Sequence, residues 1–259
     1  MGKSIEGRVV TRVITHCVSS FIILFFCLSL VLWPEVNKSV DGVKTNHTKN
    51  QQKLILLIGA SIGRHWNFSS LPERIDNSDY IFEYVPGGGF DKSETLKSVL
   101  SREENKPNVI FLKECAAYFP GEMPVYKDLM MRWINECIEA DIVPIPATVV
   151  PVTRLHSFKQ MLIDVIKGRN PLRSGNPFAQ KRNRAIIAYN DWIRMYCSQK
   201  GLALLDLEEA VRYSKKNRYL RENFAKIDGL HLNSKAYKVL DQIVIPTLST
   251  IDDAVKSTD

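Results

Sequence analysis

Leu54-Ile55-Leu56-Leu57-Ile58-Gly59-Ala60-Ser61-Ile62-Gly63 is the stretch on which the fold turns. Five aliphatic residues in succession read as a strand buried on both faces, as in the middle of a parallel sheet. The small residues after it permit a sharp turn and leave one hydroxyl, that of Ser61, at the carboxyl end of the strand. Ligands of open α/β sheets bind at such strand ends. A serine there acts as a nucleophile when a histidine reaches its Oγ as general base. The plainer reading is a turn whose hydroxyl caps the following helix.

Working outward, strand candidates at 54–58, 80–85, 108–112, 142–149 and 202–207 alternate with helical stretches at 92–102, 124–139, 178–199 and 234–248. This rhythm predicts a three-layer α/β/α domain with a five-stranded, mostly parallel sheet. Residues 154–177 interrupt it with a short amphipathic piece and two Gly/Asn/Pro turns. They read as an insertion over the ligand-binding edge, a lid or substrate-selecting loop that carries His156.

Before the domain, Lys3, Arg8 and Arg12 precede an apolar run over residues 17–33, long enough with Val13 and Ile14 for a membrane span. Without a small-x-small cleavage site before Pro34, residues 1–34 read as an uncleaved signal-anchor. The basic flank places the N-terminus in the cytoplasm and the remainder outside it, in a periplasmic or extracellular location. Residues 35–52 form a polar linker, and the domain occupies 53–259. Asn37-Lys38-Ser39, Asn46-His47-Thr48 and Asn67-Phe68-Ser69 match the glycosylation sequon.

Composition excludes several classes. The 259 residues are 45% hydrophobic and 24% charged, which argues against bulk disorder and suits one sizeable domain. The net charge of +7 is spread along the chain, densest at Lys181-Arg182-Asn183-Arg184 and Lys215-Lys216-Asn217-Arg218. Such runs are ordinarily solvated faces. Without aromatic interleaving they do not point to nucleic acid. The five cysteines lack CxxC pairing or metal-like spacing with histidine, so neither a disulfide scaffold nor a zinc site is expected, and no cofactor.

The second chemical landmark is Ile227-Asp228-Gly229-Leu230-His231-Leu232-Asn233, directly before the last amphipathic helix. Asp and His three residues apart on one tight turn bring a carboxylate to the imidazole Nδ1. That fixes the tautomer and frees Nε2 to take a proton. Alternatively Asp228 is a turn residue and His231 caps the helix.

Together, a strand running into Gly-Ala-Ser-Ile-Gly and an Asp-Gly-Leu-His before the last helix resemble the SGNH (GDSL-like) hydrolase family. The resemblance covers about residues 53–248. It implies a flavodoxin-like sheet and carboxylic ester hydrolysis with Ser61 as nucleophile, His231 as general base and Asp228 as orienting acid. The family's acid before the serine is Ala60 here. Its oxyanion donors map onto the Ser61 N–H and the Gly87-Gly88-Gly89 turn, Gly88 centrally, with Gly87 and Gly89 beside the substrate. A third donor, an asparagine after the third strand, is absent from Lys113-Glu114-Cys115-Ala116-Ala117-Tyr118. Glu114 takes that neighbourhood, and a protonated carboxyl there would donate as the amide does. Lys113 beside it would oppose protonation by pairing with it. Cys115 offers a weak donor, and with Tyr118 it would line the substrate pocket.

These expectations give an esterase of acylated carbohydrate or lipid outside the cytoplasm. Two alternatives stay open: a non-catalytic member that binds glycan or serves polysaccharide assembly, and acyl transfer to a sugar hydroxyl through the same acyl-enzyme. His65 and Trp66 follow the serine by one helical turn, His65 toward the pocket and Trp66 toward the core.

Overall fold

The computed structural model describes residues 52–154, 162, 165–168 and 177–256. The signal-anchor, linker and His156 expectations, and most of the insertion, lie outside the described residues. Among the described residues no helix is long and apolar enough to cross a membrane.

Strands β1 (Lys53–Gly59), β2 (Tyr80–Pro86), β3 (Val109–Lys113) and β4 (Val143–Ala147) form a four-stranded sheet in the order β2-β1-β3-β4. Every pairing is parallel. Helices α1 (Ser61–Trp66), α2 (Leu71–Ile75), α3 (Ser93–Leu100), α4 (Met123–Glu139), α5 (Pro177–Lys200), α6 (Leu207–Val211) and α7 (Ser234–Lys256) accompany them. Side chains alternate across a strand, so each strand feeds two cores. Ile55, Leu57, Val109 and Phe111 pack with Ile62, Trp66, Leu240 and Val244 on the α1/α7 side. Leu56, Ile58, Ile110 and Leu112 pack with Leu96, Trp133 and Ile186 on the α3/α4/α5 side. The three-layer expectation therefore stands.

The expected fifth strand does not form among the described residues. Residues 202–207 reach the sheet at one point, where Leu205 bridges Ala147 in parallel. The reason is written in β4, Val143-Pro144-Ile145-Pro146-Ala147. Val143 N–H donates toward β3, to the Asn108 carbonyl. In a parallel strand alternate residues face opposite neighbours, so positions 144 and 146 face outward. Both are proline and have no N–H to offer. What remains are Leu205 N–H to the Pro146 carbonyl (2.9 Å) and Thr148 N–H to the Leu205 carbonyl (3.1 Å). Asp206 then accepts from Glu209 N–H and starts α6.

Gly87 N–H donates to the Gly59 carbonyl at 2.8 Å, so the glycine turn after β2 continues alongside Gly59.

Candidate active site

Ser61 opens α1, and Ala60 makes no side-chain cap bond at the preceding position. Two contacts hold this turn. Tyr84 Oη, from β2, donates to the carbonyls of Gly59 (3.0 Å) and Ala60 (3.1 Å). Gly63 lies so close to the Tyr84 ring that a Cβ there would stand 2.7 Å from Cε2. Glycine at that position is a packing requirement for seating α1 on the sheet.

From the other end of the chain comes the turn before α7. Gly229 sits at φ +65°, a conformation that glycine adopts without strain. Asp228 Oδ1 accepts the N–H groups of Leu230 and His231, both at 2.9 Å, which closes the turn. Asp228 Oδ2 lies 2.5 Å from His231 Nδ1, and His231 Nε2 lies 3.0 Å from Ser61 Oγ. The Ser61 hydroxyl thus faces imidazole. Capping of α7 falls to Asn233, whose Oδ1 accepts from Lys235 and Ala236 N–H.

A buried brace joins the two halves. Trp66 Nε1, at the end of α1, donates to Asp241 Oδ1 on α7 at 2.7 Å. Arg74 closes on the same carboxylate from α2, with Nε 2.8 Å from Oδ2. Trp66 is core, as expected from its sequence position. Its indole N–H also ties the serine helix to the histidine helix.

Burial pushes the Asp228 carboxyl up, but the His231 amide, the imidazole and the Leu230 amide outweigh it and hold it below the usual aspartate value. An anion beside Nδ1 favours the tautomer with its proton on Nδ1. That leaves Nε2 as an acceptor for the serine proton.

The other sequence candidates divide. Gly88 and Gly89 are exposed, and Gly88's carbonyl accepts from Tyr118 Oη at 3.2 Å. Gly87 is buried against the stem of Lys92. Cys115 is a buried free thiol at the start of a short 3₁₀ turn. Glu114 is where expectation and structure part. Its side chain is 1% exposed, and its partner is Lys92, with Nζ 2.7 Å from Oε2. Glu114 is therefore engaged as an acceptor inside the molecule rather than offered as an oxyanion donor. Lys113, the expected partner, instead donates from Nζ to the Glu114 main-chain carbonyl at 2.9 Å. Burial raises the Glu114 pKa, opposed by Lys92, and burial lowers that of Lys113.

Lys92 was not legible as a site-shaping residue. Its ammonium also donates to the Phe90 carbonyl at 3.1 Å and stands over the rings of Phe90, Tyr118 and Trp133. With its stem against Gly87, it fastens the glycine turn to the loop after β3.

His65 meets His231 edge-on, ring centroids 5.7 Å apart. Burial first, then the charges of Lys226, His231 and Arg64, hold its pKa below the ordinary histidine value. In Lys226→Gln the His65 pKa should rise, measured by NMR titration of the ring C–H signals. An unchanged value would mean that Lys226 does not face this ring.

No protein-family model and no curated protein matches this sequence. Solved structures do resemble it. A GDSL-like lipase of Bacteroides thetaiotaomicron superposes with a TM-score of 0.57 at 14% identity, over 80% of this chain and 93% of its own. The acetyl xylan esterase AlAXEase gives 0.52 at 14%, over 75% and 99%. A psychrotrophic esterase of Pseudoalteromonas sp., in a structure inhibited by monoethylphosphonate, gives 0.51 at 10%, over 78% and 100%. At these identities the likeness is one of fold. The described domain has the SGNH (GDSL-like) hydrolase fold.

Proposed function

We propose that this chain is a serine ester hydrolase in which Ser61 attacks the ester carbonyl, His231 takes its proton, and Asp228 steadies the resulting imidazolium. The observation that carries this reading is the continuous chain Ser61–His231–Asp228, in which a 3.0 Å link joins groups 170 residues apart in sequence and a 2.5 Å link joins His231 to Asp228 on its own turn. A core-packing explanation accounts for none of its geometry. A capping explanation fails for Ser61, which leads a helix that another residue precedes at the cap, and for His231, since Asn233 caps α7.

In the forward step the serine oxygen bonds to the carbonyl carbon, and the carbonyl π pair moves onto oxygen. The N–H groups of Ser61 and the Gly88 region receive that oxyanion. Collapse expels the alcohol, which takes the proton from His231 Nε2. Water then repeats the sequence on the acyl-enzyme. An acceptor sugar hydroxyl in place of water would give acyl transfer by the same route.

The N-terminal apolar segment, read from sequence, would tether the domain on the non-cytoplasmic side of a membrane. Acylated cell-surface carbohydrate, such as an O-acetyl ester, is the substrate class this placement favours over lipid ester.

The test is covalent capture by a fluorophosphonate probe on the full-length chain, read by intact mass and peptide mapping. Labelling at Ser61, lost in Ser61→Ala and strongly slowed in His231→Ala, is expected. Absence of labelling in wild type, together with no turnover of p-nitrophenyl acetate, would turn the reading toward glycan binding without chemistry.

A further inference from the structure

The peptide group between Ala60 and Ser61 carries one of the proposed oxyanion donors. Its N–H belongs to Ser61 and opens α1, where a helix offers that group no acceptor of its own. A trans peptide points its N–H and its carbonyl in opposite directions, so whatever grips the Ala60 oxygen aims the Ser61 N–H. The helix grips it weakly. Ala60 stands in extended backbone (φ −94°, ψ −151°), and the first helical bond, from Arg64 N–H to the Ala60 carbonyl, is stretched to 3.3 Å. Ala60 has no polar side chain with which to steady its own turn.

Tyr84 supplies the grip from a neighbouring strand. It lies in register with Leu57 of β1 and packs on the α1/α7 side of the sheet. From there its phenol reaches the end of β1, where Oη stands 3.0 Å from the Gly59 carbonyl and 3.1 Å from the Ala60 carbonyl. One hydroxyl proton is shared between the two oxygens. The Gly59 oxygen also accepts Gly87 N–H at 2.8 Å, so the phenol rests on the atom from which the glycine turn hangs. Gly63 leaves the ring its place: a Cβ there would stand 2.7 Å from Cε2 and push the phenol aside.

We infer that Tyr84 is a positioning residue for oxyanion stabilisation, its hydroxyl setting the direction of the Ser61 N–H and anchoring the glycine turn beside it. Donation to the Ala60 carbonyl also polarises that peptide and strengthens its N–H as a donor. This inference rests on the serine-esterase reading above and adds a residue to it.

The experiment follows p-nitrophenyl acetate turnover by the full-length chain and its inhibition by benzeneboronic acid, whose tetrahedral serine adduct mimics the oxyanion-bearing state. Removing an oxyanion donor outright costs about a hundredfold or more, and a donor that stays but loses its aim costs part of that. Tyr84→Phe should therefore lower kcat by about tenfold and raise the boronate Ki by about the same factor, with KM changed by less than about twofold. Tyr237→Phe is the control, since the buried Tyr237 hydroxyl has no hydrogen-bond partner among the described residues. Its kcat and Ki should match wild type. Gly63→Ala keeps the phenol but displaces it, so it should reproduce the loss in kcat, and adding Tyr84→Phe should cost little more. A kcat for Tyr84→Phe within about twofold of wild type overturns the inference, as does a fall in kcat with Ki unmoved, or losses that multiply in the double variant. In each of these cases wild type still turns over and the esterase reading survives. If wild type neither cleaves p-nitrophenyl acetate nor takes the fluorophosphonate, the esterase reading itself fails and this inference falls with it.

Discussion

Ser61→Ala should lower kcat for p-nitrophenyl acetate by about 10⁴ or more, and His231→Ala by a comparable factor, with the double variant scarcely worse than either. The near-equality is the diagnostic part. A hydroxyl and an imidazole joined by one 3.0 Å contact form a single proton-transfer unit, so removing either end removes the whole. A factor of 10⁴ corresponds to about 5.5 kcal/mol of transition-state stabilisation. Asp228→Asn probes the unit differently. The side-chain oxygen of asparagine can keep the Leu230 and His231 N–H bonds, so the turn survives. Its NH₂ then faces Nδ1 and donates to it, which moves the ring proton to Nε2 and blocks acceptance from serine. Loss of about 10²–10⁴ in kcat with unchanged unfolding midpoint is expected. Equal activity of wild type and Asp228→Asn would show that the 2.5 Å contact does not set the tautomer.

The low Asp228 pKa adds a sign to the pH profile. A carboxyl held below its unfolded value contributes stability above that value and loses it only as pH falls through the folded one. The Asp228 turn should therefore stay intact in mildly acidic buffer, and unfolding midpoints measured across that range should not fall on its account.

Much of this arrangement could be read from local sequence, because its signals are local. A five-residue aliphatic run marks β1. Gly-Ala-Ser-Ile-Gly marks the turn, and Asp and His three apart before an amphipathic helix mark the other half of the proposed triad. The fifth strand was misread because β propensity at 202–207 says nothing about its neighbour. Pro144 and Pro146 deny it donors from across the sheet. The Glu114 environment was misread for a related reason. Lys113 and Glu114 are adjacent in sequence, but consecutive residues leaving a strand point to opposite faces. The true partner, Lys92, comes from 22 residues earlier, at the mouth of α3. Tyr84, Asp241 and Arg74 escaped for the same reason: each acts through a long-range hydrogen bond that has no periodicity to announce it.

That buried pair carries the second large effect. Lys92→Met is expected to destabilise the protein by about 3–5 kcal/mol, because it leaves the Glu114 carboxylate in the interior without its counter-charge. Lys92 and Glu114 side chains are 2% and 1% exposed, so water cannot take over, and Glu114 Oε1 already lacks a hydrogen-bond partner. The double variant Lys92→Met/Glu114→Leu should recover most of the loss, since neither charge is then buried. The penalty in Lys92→Met should also depend on pH. Burial already raises the Glu114 pKa, and Lys92 is the main group opposing that rise. Without Lys92 the folded state holds the proton to higher pH than the unfolded chain. Stability then falls as pH rises from the unfolded glutamate value through the raised folded one. Urea unfolding of the full-length chain at pH 5 and pH 8 measures it: the single variant should lose more at pH 8, and the double variant should show no such difference. Equal losses for single and double variants would mean that the pair contributes packing rather than charge compensation. Activity gives the complementary reading. Lys92 holds the Phe90 carbonyl and packs on Gly87, so the double variant, though stable, should show a lower kcat with little change in KM. A turn that donates to an oxyanion matters most when that charge has formed.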